Sequence, residues 1–107
     1  MTKDEKRDWE EMGYILSSRL RLRLLLYLTN RVSTPTHLAE FLKEPRSRIS
    51  VALRELADVG IVECLTPNRK KGRLYTATEK GKRIVRKMHE ITDICLNLKK
   101  GNKYDSN

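Results

Sequence analysis

Residues 45–62 read P-R-S-R-I-S-V-A-L-R-E-L-A-D-V-G-I-V, and the interpretation of the whole chain depends on this stretch. Its apolar side chains recur at spacings of three and four residues, so a helix would place them on one stripe that faces a core. The stripe consists of Ile49, Ala52, Leu53, Leu56 and Ala57. Gly60 is suited to the left-handed conformation that ends helices, and residues 61–62 then begin a strand.

The other side of this predicted helix carries side chains that suit contacts with a DNA major groove. An arginine can donate two hydrogen bonds to a guanine edge, a serine can bond to bases or phosphates, and a valine methyl can touch the methyl group of thymine. The candidate DNA-binding residues are Arg46, Ser47, Arg48, Ser50, Val51 and Arg54. Taken alone, the pattern is equally consistent with an amphipathic helix whose basic side faces solvent, so the neighbouring segments must decide.

A shorter helix is predicted just before it. Thr34 is a favoured N-cap residue and Pro35 fits the first position of a helix, which indicates a helix over residues 35–42. Its expected buried side chains are Leu38, Ala39, Phe41 and Leu42. Pro45 disfavours helix at the residue before it, so a short turn separates the two helices. Together they predict a helix-turn-helix over residues 34–60.

A basic β-hairpin is predicted after this motif. Residues 61–65 and 73–78 alternate apolar and polar side chains as strands do, and the intervening T-P-N-R-K-K-G favours a turn. The cations of the hairpin tip are Arg69, Lys70, Lys71 and Arg73. Such a tip can be a solvated loop, but directly after a helix-turn-helix we interpret residues 61–78 as a wing that lies along phosphates or enters the minor groove.

Further helices are predicted on both sides of these elements. Residues 1–16 form an N-terminal helix with acidic side chains in its first turns, where the helix dipole favours them. Ser17 or Ser18 caps a second helix over residues 19–28, since its apolar run outweighs the strand-like alternation of its first half. Thr78 caps a last helix over residues 79–98, whose apolar side chains repeat in steps of three and four.

The last helix carries more apolar surface than a small core needs, so we expect it to pair with a second copy of the chain. Packing against the first helix of the same chain is the alternative, and both arrangements can hold together. The predicted dimer interface consists of Trp9, Met12, Leu16, Ile84, Met88, Ile91, Cys95 and Leu98. Residues 99–107 are polar, and we expect them to be a disordered tail.

Composition limits the class of protein. The 107 residues have room for one domain, which we place at residues 1–98. The net charge is +9, and residues 17–83 hold fifteen basic and six acidic side chains, so a polyanionic partner is favoured. We expect a cytoplasmic location, since the chain shows no apolar leader or membrane-spanning run and has only two cysteines. Without a catalytic motif, we predict neither enzyme activity nor a cofactor.

The predicted order of elements resembles that of winged-helix transcription regulators of the ArsR and MarR type, found in bacteria and archaea. The stretches that carry the resemblance are L-S-S-R-L-R-L-R-L-L-L-Y-L at 16–28, R-S-R-I-S-V-A-L-R-E-L-A-D-V-G-I-V at 46–62 and K-K-G-R-L-Y-T-A-T-E-K-G-K-R-I at 70–84. The resemblance implies an α+β, mostly helical fold with a hairpin wing and a long dimerisation helix. It also implies a homodimer that binds double-stranded DNA and represses or activates a promoter, with the effector and the operator unspecified.

The sequence departs from the metal-sensing members of that group, and it leaves some alternatives open. His37 has no cysteine partner in its helix, and His89 with Asp93 gives only two ligands per chain, so no metal site is predicted. Cys95 is either a buried thiol or half of an inter-chain disulfide. For the whole chain, the alternatives are a protein-interaction module, a non-specific architectural DNA-binding protein, and a regulator switched by a ligand or by oxidation.

Overall fold

The computed structural model describes residues 2–91, apart from the side chains of Asp4 and Glu5. Helices α1 (Lys3–Leu16), α2 (Arg19–Leu28), α3 (Pro35–Leu42) and α4 (Arg46–Asp58) precede strands β1 (Val62–Cys64) and β2 (Tyr75–Ala77), and residues 79–91 form α5. This α+β, mostly helical order confirms the predicted fold class. The predicted part of the last helix beyond residue 91 and the predicted tail lie outside the described residues. None of the helices within residues 2–91 is both long and apolar enough to cross a membrane.

Each of the predicted N-caps in the middle of the chain is formed. The Ser18 hydroxyl accepts from the Arg21 N–H at 3.3 Å, and the Thr34 hydroxyl accepts from the His37 N–H at 3.2 Å. The Thr78 hydroxyl accepts from the Gly81 N–H at 3.1 Å and starts α5. These bonds satisfy backbone donors that the first turn of a helix leaves without an intrahelical partner, which explains why the helices begin where the sequence predicts.

One apolar core joins the five helices to the hairpin. Its fully buried large side chains are Ile15, Leu24, Leu25, Leu28, Leu38, Ile49, Leu53, Leu56, Ile61, Val62 and Ile84. Two residues that the sequence predicts to be buried are exposed. Ala57 lies one residue beyond Leu56, about 100° further round the helix, and this rotation turns it away from the core. Phe41 is 57% exposed and packs its ring on Tyr27 instead, with 4.7 Å between ring centroids, while Ala39 is half-buried.

The hairpin is antiparallel and shorter than predicted. Val62 pairs with Ala77, and Cys64 pairs with Tyr75. Ile61, predicted to be the first residue of the strand, lies before it, because the Ile61 N–H donates to the Leu56 carbonyl at 2.9 Å at the end of α4. Gly60 has φ +76°, so it ends the helix in the left-handed conformation, as its position predicts. A single bridge from Ser33 to Tyr75 places the segment before α3 beside the sheet.

Helix α5 is fixed to α1 by a buried carboxylate. Asp8 is 3% exposed and accepts two hydrogen bonds from Arg83, both at 3.0 Å, and one from Lys87 at 2.9 Å. The bonds from Arg83 are the main cause that lowers the pKa of Asp8 from 3.8 to about 2; Lys87 also lowers it, whereas burial opposes the shift. A second pair, Glu11 with Lys80, lies near the end of α4, where Lys80 also donates to the Val59 carbonyl.

The first turn of α5 passes close to the start of the hairpin. A Cβ on Gly81 would lie 2.3 Å from the Ile61 carbonyl oxygen, so the position has no room for a side chain. Two hydrogen bonds cross the same point, since the Thr78 N–H donates to the Ile61 carbonyl and its hydroxyl donates to the Gly60 carbonyl. This close approach fixes the hairpin relative to the rest of the domain.

Candidate nucleic-acid interface

The structure forms the predicted helix-turn-helix, with an unexpected residue in its turn. Lys43 has φ 57°, a left-handed conformation that favours glycine, and the Glu44 N–H donates to the Ala39 carbonyl at 3.1 Å. Arg23 reaches from α2 to donate to the Leu42 carbonyl at 3.1 Å, which satisfies an acceptor at the end of α3. The sequence contains no signal for this geometry, because lysine does not favour left-handed turns.

Helix α4 presents its predicted contact residues to solvent. Ile49, Ala52, Leu53 and Leu56 are buried beneath it, so its opposite side faces outward along the whole length of the helix. The exposed side contains Arg46, Ser47, Arg48, Ser50, Val51 and Arg54. Their exposure makes them available for contact and assigns no role to any of them.

A groove separates α4 from the hairpin, and we call it the wing-side groove. Its volume is about 380 Å³, and its basic lining residues are Arg46 and Arg54 from α4 with Lys70 and Arg73 from the hairpin. Ser50 lies between the two helix arginines and also faces the groove. The fold therefore brings together cations that are up to 27 positions apart in the sequence. Arg69 and Lys71, the other two predicted wing residues, are exposed at the tip beyond the lining of this groove.

The other flank of α4 lines a second groove, which we call the outer groove. It has a volume of about 310 Å³ and contains Ser47, Arg48, Val51 and Glu55. Its charged side chains have partners: Arg48 contacts Glu44 at 3.2 Å, and Glu55 accepts from Arg21 at 2.7 Å. The two flanks of the helix therefore differ in charge. Cations face the wing on one flank, whereas the other flank carries paired charges and an exposed valine.

The hairpin tip is held by its own backbone and by Thr66. The Leu65 N–H donates to the Leu74 carbonyl at 2.7 Å, and the Leu74 N–H donates to the Thr66 hydroxyl at 3.0 Å. Gly72 has φ +65°, the left-handed conformation that the reversal of the chain requires. The Arg73 guanidinium donates to the Arg69 carbonyl, so the tip is closed by contacts within itself.

The residues of the predicted dimer interface occupy different environments. Met12 and Ile84 are buried within the chain's own core, whereas Trp9 is 48% exposed and Leu16 is 54% exposed. Met88 and Ile91 line an apolar groove between α1, α2 and α5, together with Leu16 and other apolar side chains; its volume is about 310 Å³. Cys95 and Leu98 lie outside the described residues. Burial of Met12 and Ile84 in one chain leaves the exposed members of the set as the surface that a second copy would meet.

Sequence reasoning missed the contacts that hold α4 in place. Arg21 stacks its guanidinium 3.9 Å from the centre of the Tyr14 ring while it bonds to Glu55, and Tyr14 also donates to Glu55 at 3.4 Å. The three residues come from three different helices, so no local spacing connects them. His37 bonds to the Tyr27 hydroxyl at 3.0 Å. Within residues 2–91, no group of three or more potential ligands is arranged to hold a metal ion.

Comparisons place this fold among solved structures. No protein-family model and no curated protein sequence matches the chain. The S. aureus MepR–DNA complex aligns with a TM-score of 0.71 at 16% identity, over 94% of this chain and 82% of that one. HlyU from Vibrio cholerae N16961 aligns with a TM-score of 0.68 at 18% identity, over 84% and 97%.

A third structure, a MarR family regulator from Neisseria meningitidis, aligns with a TM-score of 0.63 at 23% identity, over 78% of this chain and 61% of that one. The chain thus spans less than two thirds of that regulator but nearly all of HlyU. At these identities the agreement concerns the arrangement of helices and hairpin. The chain therefore has the winged helix-turn-helix fold that these structures share.

Proposed function

We propose that this chain is a double-stranded DNA-binding transcriptional regulator that acts as a homodimer and recognises specific sequences. In this proposal α4 enters the major groove, and the hairpin wing lies on the flanking backbone or in the minor groove. The observation that carries the proposal is the wing-side groove, where Arg46 and Arg54 of α4 face Lys70 and Arg73 of the wing. Two structural neighbours support it, since one is a complex with DNA and another is a MarR family regulator.

The charge and shape of this surface suit a duplex. An α-helix fits the width of the major groove, and arginines can bond both to phosphates and to guanine edges. The 13-residue length of α4 gives about three and a half turns, and its exposed side holds three arginines. The wing adds four cations beside it. Neutralisation of phosphates by these side chains would release counterions, so binding should weaken steeply as salt rises.

The homodimer part of the proposal rests on the apolar groove. Leu16 and Leu26 line this groove and are each roughly half-exposed, and Trp9, three residues before the groove residue Met12 on α1, is also roughly half-exposed. Apolar surface of this kind on a small domain is typical of an interface between subunits. Two copies joined through α1, α2 and α5 would present two α4 helices, as recognition of paired half-sites requires.

The proposal is tested by fluorescence anisotropy with the purified chain, a random-sequence duplex and the duplex upstream of its own gene, each at two salt concentrations. We expect tighter binding to one specific duplex and a slope of log affinity against log salt of about −0.9 per neutralised phosphate. Equal binding to every duplex would contradict sequence recognition and favour an architectural role. Absence of binding to any duplex would contradict the proposal and favour a protein-interaction module.

A matched pair of variants shows whether the wing takes part. Alanine at Arg69, Lys70 and Lys71 removes three exposed wing cations, whereas alanine at Lys3, Lys6 and Arg7 removes three exposed cations from α1. We expect the wing variant to bind duplex more weakly and with a smaller salt slope, and the α1 variant to lose much less. Equal losses would mean that only the net charge of the protein matters.

A further inference from the structure

The two flanks of α4 differ in charge and in the chemical groups that they present to solvent. We propose that the wing-side groove holds one sugar-phosphate strand, gripped by Arg46 and Arg54, while base edges are read from the outer flank, where Val51 contacts the methyl group of a thymine. This assignment rests on the proposed function and adds to it which residues give affinity and which give sequence preference.

The wing-side groove carries positive charges that have no acidic partner among the described side chains. Among the described side chains, Arg46 and Arg54 form no ion pair with a carboxylate, and none of the residues that line the groove there is acidic. Lys70 and Arg73 add positive charge from the facing wall. Uncompensated cations on two walls of one groove attract an anion, and the repeating anion of a duplex is the phosphodiester.

Hydroxyl groups complete this groove as a site for a sugar-phosphate strand. Ser50 stands between Arg46 and Arg54 on the helix wall, and Thr36 and Tyr75 also line the groove. Serine, threonine and tyrosine hydroxyls commonly donate to phosphate oxygens alongside basic side chains. An α4 helix in the major groove and a wing over the adjacent minor groove have the intervening backbone strand between them, which is the position of this groove.

The outer flank has the opposite character. Arg48 is paired with Glu44 at 3.2 Å, and Glu55 is paired with Arg21 at 2.7 Å, so this flank is close to electrical balance. It offers donors, acceptors and an apolar group side by side, as the edges of bases do. Sequence in the major groove is read by such mixed contacts, whereas a phosphate favours unbalanced positive charge.

Val51 is the most informative residue on that flank. It is 51% exposed in a helix whose other large apolar side chains face the core, and it lies between Ser47 and Glu55 in the outer groove. An exposed β-branched side chain there gains little within the domain. Facing a major groove, it meets the only apolar group that base edges present, the methyl group of thymine.

The experiment compares Arg54→Ala with Val51→Ala. Each variant selects its preferred sequences from a randomised duplex, and its affinity for the wild-type-selected duplex is then measured across a range of salt. We expect Arg54→Ala to keep the wild-type sequence preference and to reduce the magnitude of the salt slope by about 0.9. We expect Val51→Ala to keep the salt slope and to lose preference at one thymine.

Replacement of that thymine by deoxyuridine removes only its methyl group. We expect wild-type affinity to fall about fourfold, the value of one buried methyl group, and Val51→Ala to bind both duplexes equally. The assignment would be overturned if Arg54→Ala lost preference at a base pair without a change in slope, or if Val51→Ala still distinguished thymine from deoxyuridine. A wild-type chain that binds no duplex would instead defeat the proposed function itself.

Discussion

Substitution of Asp8 by asparagine tests how strongly α1 holds α5. The change keeps the shape of the side chain and removes the negative charge that Arg83 and Lys87 both contact. Asp8 is 3% exposed, and its pKa is lowered to about 2 from an ordinary value of 3.8. A shift of this size corresponds to about 2 kcal/mol of stability at neutral pH, after allowance for the partly exposed Arg83 and Lys87. We therefore expect Asp8→Asn to lower the free energy of unfolding by about 2 kcal/mol.

The sign of the pH dependence follows from the direction of the shift. Because the folded-state pKa is lower than the unfolded one, the ionised Asp8 stabilises the fold fully above pH 3.8, and this stabilisation is lost as pH falls through about 2. The difference in stability between wild type and Asp8→Asn should therefore be constant near neutral pH and decrease steadily below pH 4. Because the other carboxylates are present in both proteins, their contributions to the pH dependence cancel in this difference.

The assay is urea unfolding followed by circular dichroism, with fluorescence of Trp9, the single tryptophan, as a second probe. Glu10→Gln is the matched control, because it removes an exposed carboxylate from the same helix, and we expect its effect to stay within about 0.5 kcal/mol. Measurements at two protein concentrations separate unfolding from dissociation of a dimer. A loss in Asp8→Asn no larger than that of Glu10→Gln, or a difference that does not change with pH, would show that Asp8 does not stabilise the contact between α1 and α5.

Three further predictions concern the fold, the interface and the turn. Gly81→Ala should destabilise the protein by about 1–3 kcal/mol, because its Cβ would lie 2.3 Å from the Ile61 carbonyl oxygen. Gly13→Ala in α1, where a Cβ would have nothing within 4 Å, should instead stabilise the protein by about 0.5–1 kcal/mol. Thermal unfolding measures both effects, and similar effects of the two substitutions would contradict this prediction. Leu26→Glu in the apolar groove should lower the mass measured by sedimentation towards that of a monomer. Val32→Glu is the control, because Val32 is similarly exposed but lies outside that groove, and we expect it to leave the mass unchanged. An unchanged mass for both variants would argue against this dimer surface. Lys43→Gly should stabilise the helix-turn-helix by up to about 1 kcal/mol in urea unfolding, because the position has φ 57°; a destabilised variant would mean that contacts of the lysine outweigh its backbone conformation.

Local patterns in the sequence predicted where the helices begin, because a cap is an interaction between neighbours. Thr34 with Pro35 placed the start of α3, and Thr78 placed the start of α5, each through a hydroxyl that accepts a backbone N–H within three residues. The stripe at Ile49, Leu53 and Leu56 was equally local, since helical periodicity alone places these side chains on one face.

Contacts between distant segments could not be predicted in the same way. From the sequence, Asp8 is only one of the acidic side chains near the start of the first helix, where the helix dipole favours them, whereas the fold places it against Arg83, 75 positions away. Phe41 was expected in the core because it is apolar, but Tyr27 from a neighbouring helix offers its ring a contact at the surface. The sequence predicts that the DNA-binding candidates lie on one helix and one hairpin, but only the fold shows that Arg54 faces the wing while Val51 faces away from it.

NMR can locate the surface of the protein that contacts DNA. Backbone amide shifts of the 15N-labelled chain are recorded before and after addition of a short duplex at moderate salt. We expect the largest changes on the exposed side of α4 and on residues 66–73 of the wing, with the α1 surface near Trp9 little affected. Changes concentrated on α1 and α5, with α4 and the wing unaffected, would rule out DNA binding through α4 and the wing.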